Sequence, residues 1–235
     1  MMIGMIRCEM LFQACSDIQG SRDVMIDRVE LCKSYAKRSV VDLIYRATVV
    51  EGLGTTYLKT EKILDNLPVN TTREEVCFIL NMKHAYEFIF DTIGEHISIH
   101  YLRELHKIVG RDLIYDCGVL RSYNVSIGGT TWRPEIPIYD KVKDELLKIN
   151  GIRDPITKAM VCFCYITRSQ LFSDGNKRLA QLITNKVLIE NGVGIFKIPY
   201  EDDTWKELLL RYYESNDASM LCEYLCTKCI EMVGN

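Results

Sequence analysis

A short polar segment, residues 170–178, combines the residue types that bind phosphate and a metal ion. It lies between an apolar helical stretch and an amphipathic stretch that starts near Gly175. A glycine at a helix entrance lets a ligand approach the backbone, and the unpaired N–H groups there attract an anion. Lys177 and Arg178 add positive charge, and Asp174 supplies a carboxylate of the kind that Mg²⁺ prefers. These residues predict either a nucleotide phosphate site or an ordinary turn with solvated basic side chains.

Helical periodicity dominates the sequence around this segment. Thr71 and Thr72 precede one amphipathic stretch as capping residues, Ser98 precedes another, and Gly110 is placed to end the second. Pro155 fits the first turn of a further helix. We predict ten helices, at 22–36, 39–50, 57–65, 71–93, 98–110, 138–149, 155–168, 175–191, 201–214 and 216–231.

One stretch departs from this periodicity. Residues 120–136, LRSYNVSIGGTTWRPEI, alternate β-branched and polar residues around two glycines, which predicts a β-hairpin with its turn at Gly128 and Gly129. Trp132, beside the turn, either contacts a partner from the tip or packs on its own hairpin. We therefore predict an all-α domain with a single β-hairpin over residues 38–235, preceded by an N-terminal helical extension over 1–37.

Composition limits the class of protein. The 235 residues are 48% hydrophobic and 26% charged, as in ordinary globular proteins. The most apolar stretch, residues 159–166, is far shorter than the roughly 20 residues that cross a bilayer. A net charge of −3 does not suggest the basic stripe that nucleic acid requires. We expect neither a membrane nor a nucleic-acid partner.

Cysteine usage indicates a compartment. The ten cysteines are scattered, some within apolar runs, which fits a reducing environment, and the N-terminal apolar stretch is broken by Arg7 and Glu9, unlike a signal peptide. We predict a cytoplasmic protein. Cys222, Cys226 and Cys229 have a spacing known from iron–sulfur sites. The same spacing places all three thiols on one helix face, so we interpret them as core residues.

The segment FSDGNKR, residues 172–178, resembles the core motif of Fic (Fido) proteins, His-x-Phe-x-Asp/Glu-Gly-Asn-Gly/Lys-Arg, which joins two helices. Residues 120–136, with Pro134, resemble the Fic flap, a hairpin that clamps a target segment. Residues 47–52, ATVVEG, resemble the motif of the family's inhibitory helix. The resemblance extends in order over residues 38–215 and implies a Fic-type helical bundle.

The resemblance implies a protein adenylyltransferase, which moves AMP from ATP to a Ser, Thr or Tyr hydroxyl of a target protein and releases pyrophosphate. It implies Mg²⁺ on Asp174 and catalytic positions at Gln170, Asp174 and Asn176. The residues that it places around the nucleotide are Phe172, Gly175, Asn176, Lys177, Arg178, Tyr212 and Tyr213.

The resemblance also implies a docking edge and an inhibitory segment. The target would add a strand along Val125, Ser126, Ile127, Gly128, Gly129 and Thr130. Glu51, followed by Gly52, would obstruct productive ATP binding, within one chain or across a homodimer. Without the resemblance, Glu51 is an ordinary glutamate near a helix end.

Two positions depart from the family pattern. Gln170 replaces the histidine that deprotonates the attacking hydroxyl, and a carboxamide has no accessible basic pKa. Losing a general base typically lowers a rate by about 10²–10⁴-fold. We do not expect any of the four histidines to replace it; these are His84, His96, His100 and His106.

Gln181 is the second departure, since many relatives have an arginine there that binds the terminal phosphate and pairs with the inhibitory glutamate. Ala47 also replaces a Ser or Thr, although Thr48 lies beside it. We therefore expect Glu51 to lack its partner and its removal to raise activity only modestly. Three readings stay open: a slow or altered adenylyltransferase, a Doc-like phosphotransferase, and a catalytically silent module that binds a nucleotide or a partner.

Overall fold

The computed structural model describes residues 22–234, which form ten α-helices and one two-stranded sheet. The predicted all-α class and all ten predicted helices are confirmed, while residues 1–21 of the predicted extension lie outside the described part. No helix within residues 22–234 is long and apolar enough to cross a bilayer. The helices are α1 Arg22–Arg38, α2 Val40–Val50, α3 Tyr57–Leu64, α4 Arg73–Asp91, α5 Ile99–Gly110, α6 Tyr139–Asn150, α7 Pro155–Ser169, α8 Asn176–Glu190, α9 Thr204–Ser215 and α10 Ser219–Lys228.

The predicted capping residues begin the helices as the sequence indicated. Thr72 and Glu75 form a capping box at the start of α4, in which each side chain pairs with the other residue's backbone N–H at 3.1 Å. The Ser98 hydroxyl accepts the Tyr101 N–H at the start of α5. Pro155 occupies the first turn of α7, as predicted.

Helices α7 and α8 form the centre of the molecule. Every residue of α8 from Arg178 to Ile189 is buried, and α8 packs against α1, α4, α5 and α7. Residues 170–175 connect α7 to α8, so this loop is anchored at both ends by the core. This arrangement gives the segment with predicted chemistry a rigid support.

The end of the chain differs from the prediction of a helix to residue 231. Helix α10 ends at Lys228, and β2 Ile230–Met232 pairs antiparallel with β1 Gly194–Phe196, with Ile195 opposite Glu231. The buried Asn185 of α8 fixes β1, because its amide accepts the Phe196 N–H at 2.8 Å and donates to the Phe196 carbonyl at 3.0 Å. Tertiary contacts thus decide the structure of these short segments.

The predicted β-hairpin strands at 120–136 are not formed, and this part of the prediction is wrong. The turn at Gly128 and Gly129 is present, but the two arms form an extended loop, called the flap below. Side chains bind part of the backbone that a ladder would pair. The Arg121 guanidinium donates to the carbonyls of Tyr123 and Glu135, one on each arm. The flap is therefore closed at its base by one buried arginine.

The cysteines Cys222, Cys226 and Cys229 are buried, as predicted for core residues. Cys222 faces Cys164 of α7, with 3.6 Å between the two sulfur atoms. Within residues 22–234, no group of three His, Cys, Asp or Glu side chains could hold a metal ion. The iron–sulfur interpretation therefore gains no support from the described part of the chain.

Candidate functional site

A cavity of about 400 Å³ lies where the end of α2, the flap, the 170–175 loop, the start of α8 and α9 meet. Its volume is within the range of small-molecule sites in proteins. It brings together many of the residues singled out from the sequence. These are Glu51, Val125, Ser126, Ile127, Gly128, Gln170, Asp174, Asn176, Lys177 and Tyr213.

Gly175 is the N-cap of α8, and its position accepts only a residue without a side chain. Its φ is +75°, and a Cβ there would lie 3.2 Å from both His106 Nε2 and Ile114 Cδ1. No described group accepts a hydrogen bond from the backbone N–H of Asn176 or Lys177 in the first turn. These amides and the Lys177 side chain at the cavity give the helix entrance the properties of an anion site.

Asn176 holds the loop in its shape. Its amide accepts the Phe172 N–H at 3.1 Å and donates to the Phe172 carbonyl at 2.8 Å and to Gln170 Oε1 at 3.0 Å. Gln170 has a left-handed backbone, with φ of 45°, and its Nε2 donates to the Thr167 carbonyl at 2.6 Å. Both ends of the Gln170 carboxamide are therefore bonded, and this side chain offers no basic site to a substrate proton.

Asp174 presents its carboxylate to the cavity, with 69% of the side chain exposed. Arg178 Nη2 lies 3.0 Å from Asp174 Oδ2, but Arg178 itself is buried. Its guanidinium lies over the Phe78 ring, 5.3 Å from the centroid, and does not line the cavity. In this arrangement Arg178 orients the Asp174 carboxylate from behind, and its role as a phosphate ligand stays a prediction.

His106 supports the loop from below. Its ring stacks on Phe172 with centroids 3.9 Å apart, and Nδ1 accepts the Gly118 N–H at 2.8 Å. Because Nδ1 is an acceptor, Nε2 carries the hydrogen and donates to the Asp174 carbonyl at 2.9 Å. Burial lowers the pKa of His106, so the neutral ring is favoured. Neither nitrogen is free to act as the missing base.

Glu51 and Lys177 form an ion pair beside the cavity, with 3.2 Å between Oε2 and Nζ. Glu51 thus lacks the arginine partner expected at position 181, as the sequence indicated, but it pairs with Lys177 instead. Gln181 is buried and donates weakly to the Lys177 carbonyl at 3.3 Å. The other carboxylate oxygen of Glu51, Oε1, is buried without a hydrogen-bond partner among the described residues.

Helix α9 forms a wall that was only partly recognised in the sequence. Tyr213 lines the cavity with Trp205, Lys206, Leu209 and Leu210. The spacing of Trp205, Leu209 and Tyr213 by four residues was the available signal, since such residues share a helix face. Val50 and Ser173 also line the cavity and were not predicted.

Several predicted site residues lie outside the cavity lining. Tyr212 is buried on the far side of α9, where its hydroxyl donates to the Cys164 carbonyl at 3.4 Å. Phe172 is fully buried against His106. The other predicted residues that do not line the cavity are Gly52, Gly129, Thr130, Gly175 and Arg178.

One residue at the cavity, Asp174, has the chemistry to hold a magnesium ion. Mg²⁺ is commonly held by one or two carboxylates together with the phosphates of its substrate. Asp174 supplies one exposed carboxylate at the cavity, oriented by Arg178 and by the hydrogen bond of its own carbonyl to His106. The residues present therefore suit a metal that is shared with a bound phosphate chain.

Comparison with known proteins shows similarity both in sequence and in fold. Residues 96–188 match the model of the Fic/DOC family. The chain is 27% identical over 172 residues to protein adenylyltransferase fic-1 of Caenorhabditis elegans, covering 67% of this chain and 33% of the relative. It thus spans about a third of that relative's length.

Solved structures share the fold. Fic-1 from C. elegans aligns with a TM-score of 0.72 at 19% identity, over 92% of this chain and 71% of that one. A variant of IbpAFic2 in complex with adenylylated Cdc42 aligns with a TM-score of 0.51 at 14% identity, over 94% and 96%. The matched residues, 96–188, include the flap and the 170–178 motif, so this part of the chain is similar to Fic/DOC proteins in both motif and fold.

Proposed function

We propose that this chain binds ATP with Mg²⁺ in the cavity and slowly transfers AMP to a hydroxyl group of a protein target. The observation that supports the proposal is the single cavity that unites the start of α8, the Asp174 carboxylate and the flap. The relative named protein adenylyltransferase and the relative in complex with adenylylated Cdc42 support the same reaction class.

Each wall of the cavity has a part in this proposal. The first-turn amides of α8 and the Lys177 ammonium would bind phosphate oxygens. Asp174 would hold Mg²⁺, which neutralises phosphate charge when it is bound. Trp205 and Tyr213 of α9 offer aromatic rings to the nucleotide base.

The target would bind along the flap. No described group forms a hydrogen bond with the backbone of residues 125–128, which line the cavity. An extended target segment could therefore pair with this edge by strand addition. The hydroxyl to be modified would then lie next to the phosphate chain.

In the reaction, the target oxygen attacks the α-phosphorus of ATP, an oxygen–phosphorus bond forms, and the bond to pyrophosphate breaks. The hydroxyl proton must also leave. Gln170 cannot take it, because a carboxamide has no accessible basic pKa. The proton would pass to solvent, because Asp174 is occupied by Mg²⁺ in this arrangement, and we expect a rate about 10²–10⁴-fold below that of a site with a positioned base.

Glu51 would regulate this site. It reaches the cavity of its own chain and pairs there with Lys177, which supports obstruction within one chain rather than across a dimer.

Buried thiols such as Cys162 support the cytoplasmic location that we propose.

Intact-mass spectrometry after incubation with Mg²⁺ and ATP tests the proposal. The proteins are the wild type, Glu51→Gly, Gln170→His and the double variant, with Glu87→Gln as an exposed control that touches no part of the cavity. An AMP adduct on the Glu51→Gly protein would establish a transferase that works without a histidine. Calorimetric titration with Mg²⁺ and ATP must also show binding, and absence of binding to all variants would disprove the nucleotide site.

A second candidate is a catalytically silent nucleotide-binding module. The observation that favours it is the Gln170 side chain, which is hydrogen bonded at both ends to the protein and acts as part of the loop. This candidate predicts ATP binding to the wild type, no adduct on wild type or Glu51→Gly, and an adduct only on proteins with Gln170→His. The same four proteins therefore separate the two candidates.

A further inference from the structure

The tip of the flap is attached to α9 by one carboxylate. Glu214 accepts the backbone N–H of Thr131 at 2.8 Å and that of Trp132 at 3.4 Å. The hydroxyls of Thr130 and Thr131 also donate to it. Because the flap has no strand ladder, Glu214 takes the place of the partner strand for these amides.

Trp132 provides a second attachment, and it packs on α9 rather than on its own arm of the flap. Its ring stacks on Tyr213, with centroids 5.8 Å apart and planes 12° apart. The Arg168 guanidinium lies 4.2 Å from the same ring and donates to the Tyr213 carbonyl at 3.2 Å. The indole is thus fixed by an aromatic ring and a cation that belong to α9 and α7.

Gly129 allows the flap to approach α9 closely. Its φ is +83°, and a Cβ there would lie 3.1 Å from Leu210 Cδ1. Leu210 and Tyr213 line the cavity as well as contacting the flap. One face of α9 therefore serves both the cavity and the flap tip.

These attachments hold the second arm of the flap and leave residues 125–128 of the first arm without backbone partners among the described residues. Residues 125–128 lead into the turn, and no described group pairs with their backbone. A free edge binds an extended segment well only if it is already held in place, because ordering a mobile arm on binding costs entropy. Contacts from other parts of the molecule must therefore hold residues 125–128 in place before a target binds.

We propose that Glu214 is a positioning residue that fixes the flap against α9 before a target binds, so that residues 125–128 are preorganised for strand addition. The proposal rests on the function proposed above, in which this edge receives the target. Glu214 itself does not line the cavity, and it acts through Thr131 and Trp132.

Backbone nuclear magnetic resonance on the full chain tests this role with three variants. Glu214→Ala removes the carboxylate, Glu214→Gln keeps one side-chain oxygen as an acceptor, and Glu207→Ala removes an exposed carboxylate from the same helix. In Glu214→Ala, amide exchange at Thr131 and Trp132 should accelerate about tenfold. The order parameters of residues 125–128 should fall toward the flexible range, below about 0.6.

The conservative variant separates positioning from a merely structural role. Glu214→Gln should restore most of the protection, and Glu207→Ala should match the wild type. The proposal is wrong if residues 125–128 of Glu214→Ala stay as ordered as in the wild type, or if the faster exchange extends through α7 and α8. Titration with Mg²⁺ and ATP is run in parallel. Failure of binding would refute the proposed function, whereas the amide-exchange result would still test the role of Glu214 independently.

Discussion

Lys177 Nζ lies 3.2 Å from Glu51 Oε2, so an ion pair connects the first turn of α8 with the end of α2. Glu51 is the more buried partner, with 17% of its side chain exposed against 38% for Lys177. The lysine that would contact phosphate is therefore occupied by the carboxylate that would obstruct phosphate. Entry of a triphosphate requires this pair to separate.

Replacing Glu51 with alanine should increase the affinity for Mg²⁺ and ATP by about tenfold, because it frees Lys177 and removes a negative charge beside the phosphates. The sequence alone predicted only a modest gain in transfer activity, because Gln181 removes the arginine that usually pairs with Glu51. Isothermal titration calorimetry measures the affinity, with Glu87→Gln as the control. An affinity equal to that of the wild type would mean that the ion pair does not obstruct the nucleotide.

Replacing Gln170 with histidine should raise AMP transfer by about 10²–10⁴-fold, because the imidazole can accept the hydroxyl proton that a carboxamide cannot. Gln170→Asn is the matched variant, since it also lacks a base and tolerates the left-handed backbone at this position. The rate of adduct formation by mass spectrometry is the measurement. Equal rates for the two variants would show that the missing base does not limit the reaction.

Replacing Asn176 with alanine should lower the free energy of unfolding by about 2–4 kcal/mol, because it leaves the buried N–H and C=O of Phe172 without partners. The loop should lose its shape at the same time, so nucleotide affinity should fall. Urea denaturation measures the stability, and Asn124→Ala at an exposed flap position is the control. A loss no larger than that of the control would contradict the role of Asn176.

His106 should make stability depend on pH. Burial lowers its pKa in the folded state from the ordinary value of 6.5, so the unfolded chain binds the proton more tightly. The free energy of unfolding should therefore decrease as the pH falls below about 6.5, by at most about 1.4 kcal/mol per pH unit. Urea denaturation between about pH 5 and 8 measures this slope.

The control for this dependence is His100→Gln at an exposed site, which should keep the slope. His106→Gln should flatten it and should also lower stability at pH 8, because the Gly118 N–H loses its acceptor. A slope that persists in His106→Gln would assign the pH dependence to other groups.

Local sequence signals were sufficient for most of the fold. Capping residues such as Thr72 and Ser98 act within one turn of their own helix, so their effect can be predicted without knowing the tertiary structure. The motif at 170–178 was found for the same reason, since a glycine before an amphipathic helix is a local pattern. The flap strands were predicted wrongly because their partners, Arg121 and Glu214, are side chains and not a neighbouring strand.

The all-α class, most helix positions and the residue types of the candidate site could be predicted from the sequence. Which of these residues meet depends on how the helices pack. Lys177 pairs with Glu51 although 126 positions separate them, Arg178 faces the core, and His106 lies beneath the loop. Such ion pairs and buried hydrogen bonds join helices that are distant in the sequence, and periodicity and capping act only within one helix.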